Sequence, residues 1–263
     1  MVDPGDLCVL ADVKAWLNQG SHAVTGISKA SNAVVTALAH NLQTGQQIII
    51  TGVVGMTQIN GVVITPTVID ANSFYANLDT SGAGFTAYSS GGLFGPDDVI
   101  LQRLITAMSQ ECRTFTGRNF DVQTYTEKRS GKGYDQHVLF LREYPVVSIT
   151  SLSIDSNAVS ARVGTGNGFT FTNELQNAAV ALYGYTFPRG VNNIQVVYSA
   201  GYSSLPHDLT QSCIELVAYR YASRGRIGHQ SKSLAGETVS FITTELPDTV
   251  KKVWDRYKKV IYD

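Results

Sequence analysis

The residues able to do chemistry are scattered through this chain. Its five histidines, His22, His40, His137, His207 and His229, include no pair at metal-ligand spacing, and no cysteine cluster supports them. No Gly-x-Ser-x-Gly elbow occurs, since Ser199-Ala200-Gly201-Tyr202-Ser203 has the wrong order. Gly164-Thr165-Gly166-Asn167-Gly168 has the glycine density of a phosphate-binding loop. No Lys-Ser or Lys-Thr follows it, however, and Phe169-Thr170-Phe171-Thr172 has strand rather than helix character, so a hairpin tip is expected there. The acidic residues are spread out and nominate no carboxylate pair. The expectation is a protein that is not an enzyme, with no catalytic residue, no metal and no cofactor.

What remains is positive charge. Arg224, Arg226 and Lys232, with Arg220 close by, cluster around the end of one helical segment, and Lys251, Lys252, Arg256, Lys258 and Lys259 cover much of another. Two readings stand side by side. One is a solvated helix face whose cations complement a helix C-terminus; the other is contact with an acidic surface or a phosphate backbone. With 20 basic and 21 acidic residues the net charge is −1, which argues against whole-surface affinity for nucleic acid and leaves local basic patches open.

Three helical segments must position these cations. The clearest runs from Asp97 to Gly117, with Ile100, Leu101, Leu104, Ile105, Met108, Cys112 and Phe115 at helical spacing and Gln102, Arg103, Ser109, Gln110 and Arg113 opposite. Gly95-Pro96-Asp97-Asp98 is a helix start and Gly117 a stop. A second helix, from Pro206 to Gly225, turns Leu209, Cys213, Leu216, Val217 and Tyr221 inward. A third, from Leu246 to Tyr262, turns Val250, Val253, Trp254, Tyr257 and Ile261 to one side. A short opening helix over 6–18 presents Leu10, Val13, Trp16 and Leu17. Between the second and third lies a polar stretch from Gly225 to Glu245, expected as a long loop that orders on a partner.

Strand patterns fill the rest. From about Ser21 to Gly92 charges nearly vanish and short β-type runs alternate with turn signals, which predicts a small all-β sandwich or barrel with linker-like ends at Gly20-Ser21 and Ser89-Ser90-Gly91-Gly92. Strands are expected again between Val122 and Ser199. The fold class expected is α+β: a helical bundle with a β portion over 1–20 and 93–263, and an inserted all-β module over 21–92. Cys8, Cys112 and Cys213 are odd in number and far apart; Cys112 and Cys213, on the apolar faces of helices, are expected as buried hydrophobes, and a reducing compartment follows. No basic-apolar signal peptide opens the chain and no run approaches the ~18 apolar residues of a membrane span, so a soluble, cytoplasmically made protein is expected.

The order of these motifs resembles the head–tail adaptor, or head-completion, proteins of tailed bacteriophages. The resemblance is carried by Leu10-Ala11-Asp12-Val13-Lys14-Ala15-Trp16-Leu17, by Asp97-Asp98 and the helix through Thr116-Gly117-Arg118-Asn119-Phe120, by Tyr144-Pro145-Val146-Val147-Ser148-Ile149, and by Val196-Val197-Tyr198-Ser199-Ala200-Gly201-Tyr202 with Leu205-Pro206-His207-Asp208-Leu209. It implies a virion protein of the neck, a homo-oligomeric ring of twelve subunits between a portal protein and a stopper or tail-completion protein, with DNA passing through the lumen and no membrane partner. The basic residues named above would then be partner-binding. Residues 22–94 lie outside that pattern. His40-Asn41-Leu42, Gly52-Val53-Val54-Gly55-Met56-Thr57-Gln58-Ile59-Asn60-Gly61 and Tyr88-Ser89-Ser90-Gly91-Gly92 resemble a small β module of phage virion proteins that is similar to a half-domain of ubiquitin-activating enzymes. It holds no cysteine here, so no thioester chemistry carries over. The alternative function is a carbohydrate- or receptor-binding virion protein that works through this module.

Overall fold

Runs of valine and isoleucine broken by glycine and asparagine every few residues allow only short strands, and the first third of the chain folds that way. The computed structural model describes residues 5–133, 136–174, 177–226, 231–234, 237–240 and 246–259. After helix α1 (Leu10–Trp16) come β1 (His22–Ala23), β2 (Gly26–Ile27), β3 (Val34–Thr36), β4 (Ile48–Ile49), β5 (Thr51–Val54), β6 (Val63–Ile64), β7 (Thr67–Asp70), β8 (Ser73–Tyr75) and β9 (Ser90–Phe94). They pair in the orders β1-β9-β5, β2-β3-β8-β7 and β4-β6. Their inward side chains form one apolar core that includes Val35, Ile48, Met56, Phe74 and Phe94. Phe74 and Phe94 meet edge to face with centroids 5.7 Å apart, the arrangement ring quadrupoles favour.

Strand β9 corrects the expectation of a linker at residues 89–92. It is the middle strand of its sheet, with Ala23 opposite Leu93 on one side and Val53 opposite Gly91 on the other. The two glycines serve close packing. Gly91 has φ +75°, and a Cβ there would sit 2.5 Å from the Gly52 carbonyl oxygen, so no larger side chain fits without moving backbone.

Helix α2 (Asp98–Thr116) forms where the apolar spacing predicts it, but its buried stripe is rotated. Leu101, Ile105, Met108 and Cys112 are buried as expected, whereas Ile100 is 42% exposed and Gln102 and Ser109 are buried. The cause is local satisfaction of polar groups: Gln102 Nε2 donates to Asp6 Oδ2 at 2.7 Å, and Ser109 Oγ accepts the Leu7 amide at 2.9 Å. These two bonds let polar side chains take places that spacing alone reserves for apolar ones. Trp16 departs in the same way. It is 56% exposed rather than packed beneath α1.

The chain continues through β10 (Gln123–Arg129), β11 (Val138–Leu141), β12 (Val146–Ile154), β13 (Asn157–Val159), β14 (Gly168–Glu174), β15 (Asn177–Tyr183), β16 (Ile194–Ala200), α3 (His207–Ser223), β17 (Ser231–Leu234), β18 (Glu237–Ser240) and α4 (Asp248–Arg256). It divides into two compact units, 1–110 with 211–247 and 111–210 with 248–263. In the second, the sheets β10-β16-β12-β13 and β11-β15-β14 share a core of Leu139, Val180, Val196, Tyr198 and neighbours. Strand β16 alternates strictly, with Ile194, Val196, Tyr198 and Ala200 buried. The glycine run at 164–168 is a turn leading into β14, but not the hairpin tip expected, because β13 before it pairs with β12 and β14 pairs with β15. The Gly225–Glu245 stretch is not a bare loop, because β17 and β18 pair antiparallel within it; residues 227–230, 235–236 and 241–245, and the expected end of the last helix from residue 260, lie outside the described residues. The architecture is α+β with substantial β content. A helical bundle is not what the described residues show, and no described helix is long and apolar enough to cross a membrane.

The chain's two tryptophans sit in opposite environments: Trp254 is wholly buried and Trp16 is exposed. Trp254→Ala should cost about 3–5 kcal/mol, and Trp16→Ala should stay within about 0.5 kcal/mol of the parent. Urea unfolding of each variant checks this, and iodide should quench only the fluorescence of Trp16. Equal quenching of both would mean that α4 does not pack as described.

Candidate functional site

The acidic pair that opens α2 organises charge within the first unit. Asp98 is buried and faces Lys14, whose Nζ lies 2.7 Å from Oδ1 and 2.9 Å from Oδ2. The Asp98 carboxylate also accepts the Gly95 amide at 2.6 Å. Burial pushes its pKa above the ordinary carboxylate range even though the lysine pulls it back down. Asp97 next door accepts the Tyr221 hydroxyl and lies 3.6 Å from Arg224 Nη2, while Gln19 Nε2 donates to the same hydroxyl at 2.7 Å. Burial, then the bond to Asp97, raises the Tyr221 pKa.

The cations expected to meet partners are therefore largely engaged within the chain. Arg224 stacks on Tyr221, 3.7 Å from the ring centroid, as well as facing Asp97. The side chains of Arg226 and Lys232 lie outside the described residues. In the second unit, Asp255 is held between two lysines, Lys251 at 2.8 Å and Lys258 at 2.7 Å. Its hydrogen bond to Lys251 lowers its pKa, and the same bond raises that of Lys251. Arg256 pairs with Asp208 at 3.1 Å, and Tyr257 donates to the same carboxylate at 2.6 Å. Lys258 also lies over the Phe115 ring, and Lys259 pairs with Glu143. Lys252 alone of this helix's cations is exposed without a described ion pair. The structure thus gives Lys251 and Arg256 of α4, and Lys258 and Lys259 just beyond its end, an acidic neighbour each. Helical spacing signals the pairs of Lys251 and Lys258 with Asp255, but not those of Arg256 and Lys259, because Asp208 and Glu143 are distant in sequence.

Two buried polar groups went unnoticed in the sequence. Arg118 is 3% exposed, lies 3.5 Å above the Tyr144 ring, and donates to the carbonyls of Tyr144 and Tyr257. It clasps the strand turn after β11 to the end of α4. Tyr198 donates to buried Glu127, whose Oε1 also accepts the Arg142 amide at 2.9 Å. Burial and this bond push the Tyr198 hydroxyl far above its usual range, so it is a structural donor. The sulfur atoms of buried Cys8 and Cys213 are 3.5 Å apart, and none of the three cysteines forms a disulfide; Cys112 and Cys213 are buried as expected. Among the described residues no group of three His, Cys, Asp or Glu is placed to hold a metal.

Comparison with known proteins gives two family matches: head completion protein over residues 91–260, and the FCCH domain of ubiquitin-activating enzyme E1 over residues 30–95. No curated protein matches. Among solved structures, the chain is similar to one from the neck of an empty GTA particle computed with C6 symmetry, at 18% identity and TM-score 0.41, covering 64% of this chain and 82% of that one. It is similar to a chain of the native gene transfer agent virion, at 18% identity and TM-score 0.41, covering 64% and 81%. A chain from the native GTA neck computed with C12 symmetry follows, at 17% identity and TM-score 0.40, covering 63% and 85%.

The ion pairs of α4 are unequal. Glu143 is only 12% exposed at its side chain, so Lys259→Ala leaves a nearly buried carboxylate without its partner and should cost about 1–3 kcal/mol. Lys252→Ala should change stability by no more than about 0.5 kcal/mol. Chemical denaturation of the two variants separates them, and equal midpoints would remove Lys259 from the list of residues that hold α4.

Proposed function

The chain belongs to the head completion protein family, and from that membership we propose that it is a structural, non-enzymatic protein of the virion neck. In this reading it forms a ring, of twelve copies, that joins the portal to the stopper or tail-completion protein and lets DNA pass through its lumen. The observation that carries the reading is the family match over 91–260, which spans α2, α3, α4 and both sheets of the second unit. Residues 21–92, extended through Phe94 by the pairing of β9, act as an inserted β module. The partner-facing residues are Arg224, Arg226, Lys232 and the α4 cations. Of these, Lys252 has the most charge left to offer, and the others contribute through shared ion pairs that a partner's acids would have to reorganise.

The receptor-binding alternative gains no support from the groove that the module lines together with α2. The groove beside β4, β6 and α2 is lined by Gln47, Ile49, Val63, Gln102 and Thr106, with no aromatic residue on which a sugar ring would stack.

Sedimentation velocity and negative-stain imaging, with and without the cognate portal, test the ring. A closed ring alone or on the portal is expected; a monomer under both conditions would overturn it. Replacement of residues 21–94 by a short Gly-Ser linker should leave cooperative unfolding of the remainder. A gradual, non-cooperative melt would show that the module is an integral layer of the first unit rather than an insertion.

A further inference from the structure

The segment that precedes α1 is held on α2 and α3 by consecutive residues. Gln102 Nε2 donates to Asp6 Oδ2 at 2.7 Å, and the Leu7 amide donates to Ser109 Oγ at 2.9 Å. Cys8 comes next, with its sulfur 3.5 Å from that of Cys213 on α3. Ser109 Oγ also lies 3.8 Å from Cys213 Sγ, so the two sulfurs sit where the segment, α2 and α3 meet. These residues all belong to the first compact unit.

Both thiols are shielded from water, Cys8 at 4% exposure and Cys213 at 0%. A single buried cysteine is a small apolar side chain. A second sulfur facing the first, from 205 positions away, adds a chemistry that neither has alone. The sulfurs of a disulfide are ~2.05 Å apart, so an approach of about 1.5 Å would join this pair. Cys213 is fixed within α3, whereas Cys8 lies outside any helix or strand, where backbone can shift without breaking a hydrogen-bond ladder. The approach therefore falls to Cys8.

We propose that Cys8 and Cys213 are an oxidative cross-linking site, closed into an intramolecular disulfide by exchange with a low-molecular-weight disulfide. In the first step the Cys8 thiolate attacks one sulfur of the reagent, whose S–S bond breaks; a mixed disulfide forms on Cys8 and one small thiol leaves. In the second, the Cys213 sulfur attacks the Cys8 sulfur, the Cys8–Cys213 bond forms, and the second small thiol leaves. Two cysteine thiols are oxidised, the reagent is reduced to two thiols, and the two cysteine protons end on them. Cys8 leads because it keeps the residual exposure and lies in the segment that can lift. While the segment is docked, the bond to Cys213 and then burial hold the Cys8 thiol protonated, well above the usual thiol range. Exchange thus passes through brief local opening of the segment. The closed bond would tie the segment to α3 across 205 positions, and cross-links over long spans constrain the unfolded chain most. The site does not rest on the neck reading, although a particle leaving a reducing cytoplasm would carry it into conditions that close it.

The test incubates the full chain with glutathione disulfide under native conditions, then counts thiols in denaturant and maps cross-linked peptides by mass spectrometry. Reactive thiols should fall from three to one, and the linked peptides should contain Cys8 and Cys213. The intact mass should drop by about 2 Da, as loss of two hydrogens requires. The oxidised chain should melt at a higher temperature than the reduced one, and dithiothreitol should reverse both changes. C112S should behave like the parent, and C8S should form no cross-link and show no thermal shift. Three reactive thiols after treatment, a glutathione adduct that stays on Cys8, a link through Cys112, or a cross-link without a thermal shift would each overturn the proposal.

Discussion

A lysine and an aspartate removed from water hold the helical end of the first unit in place. Taking both charges out of solvent costs several kcal/mol per ion, and their attraction offsets this only if the remaining hydrogen-bonding capacity is filled. At Asp98, Lys14 faces both carboxylate oxygens and the Gly95 amide, which also sets the chain direction entering α2, adds a second donor to Oδ2. The carboxylate stands in the first turn of the helix, where the dipole favours negative charge. Asp97 takes a different route, outward to Tyr221 and Arg224, and so ties the C-terminal end of α3 to the same point. Two adjacent acids therefore fix three helices. An ordinary helix-start signal becomes a junction, and replacing either acid by a mere capping residue would lose that.

The second unit solves the same problem with a cation. Arg118 lies in an aromatic setting, against Tyr144 and Phe120, and its guanidinium reaches carbonyls at the turn before β12 and at the end of α4. Fixed planar donors suit this role better than an ammonium does, because one side chain serves two backbone segments at defined angles. Lys259 and Glu143, Arg256 and Asp208, and the Lys251–Asp255–Lys258 cluster then complete a short helix whose own length is marginal for stability. Much of its positive charge is thus spent on holding α4 down.

Apolar periodicity made the fold's skeleton legible. α2, α3, α4 and the alternating β16 lie where 3.6- and 2-residue patterns place them, and all five residues expected inward on α3 are buried. The sequence was silent wherever a long-range polar contact overrode the pattern. Gln102 and Ser109 are buried because Asp6 and the Leu7 amide receive them from about a hundred residues away. Gly91 and Gly92 have a composition shared by linkers and by crowded strand centres, and only the approach of Gly52 decides between the two. The basic residues were visible as a group, and the i,i+4 and i,i+3 pairs with Asp255 follow from spacing, but the pairs with Asp208 and Glu143 do not, since those acids lie far from α4 in the chain.

That last distinction bears on where recognition takes place. A cation already paired with an acid on its own chain offers a partner little net field, and a partner carboxylate must displace the resident one before it gains anything. A cation without such a neighbour offers its full charge. By this criterion the density of Lys and Arg on α4 and just beyond it overstates its attraction for acidic surfaces, and Lys252, exposed and without a described ion pair, keeps the most to give.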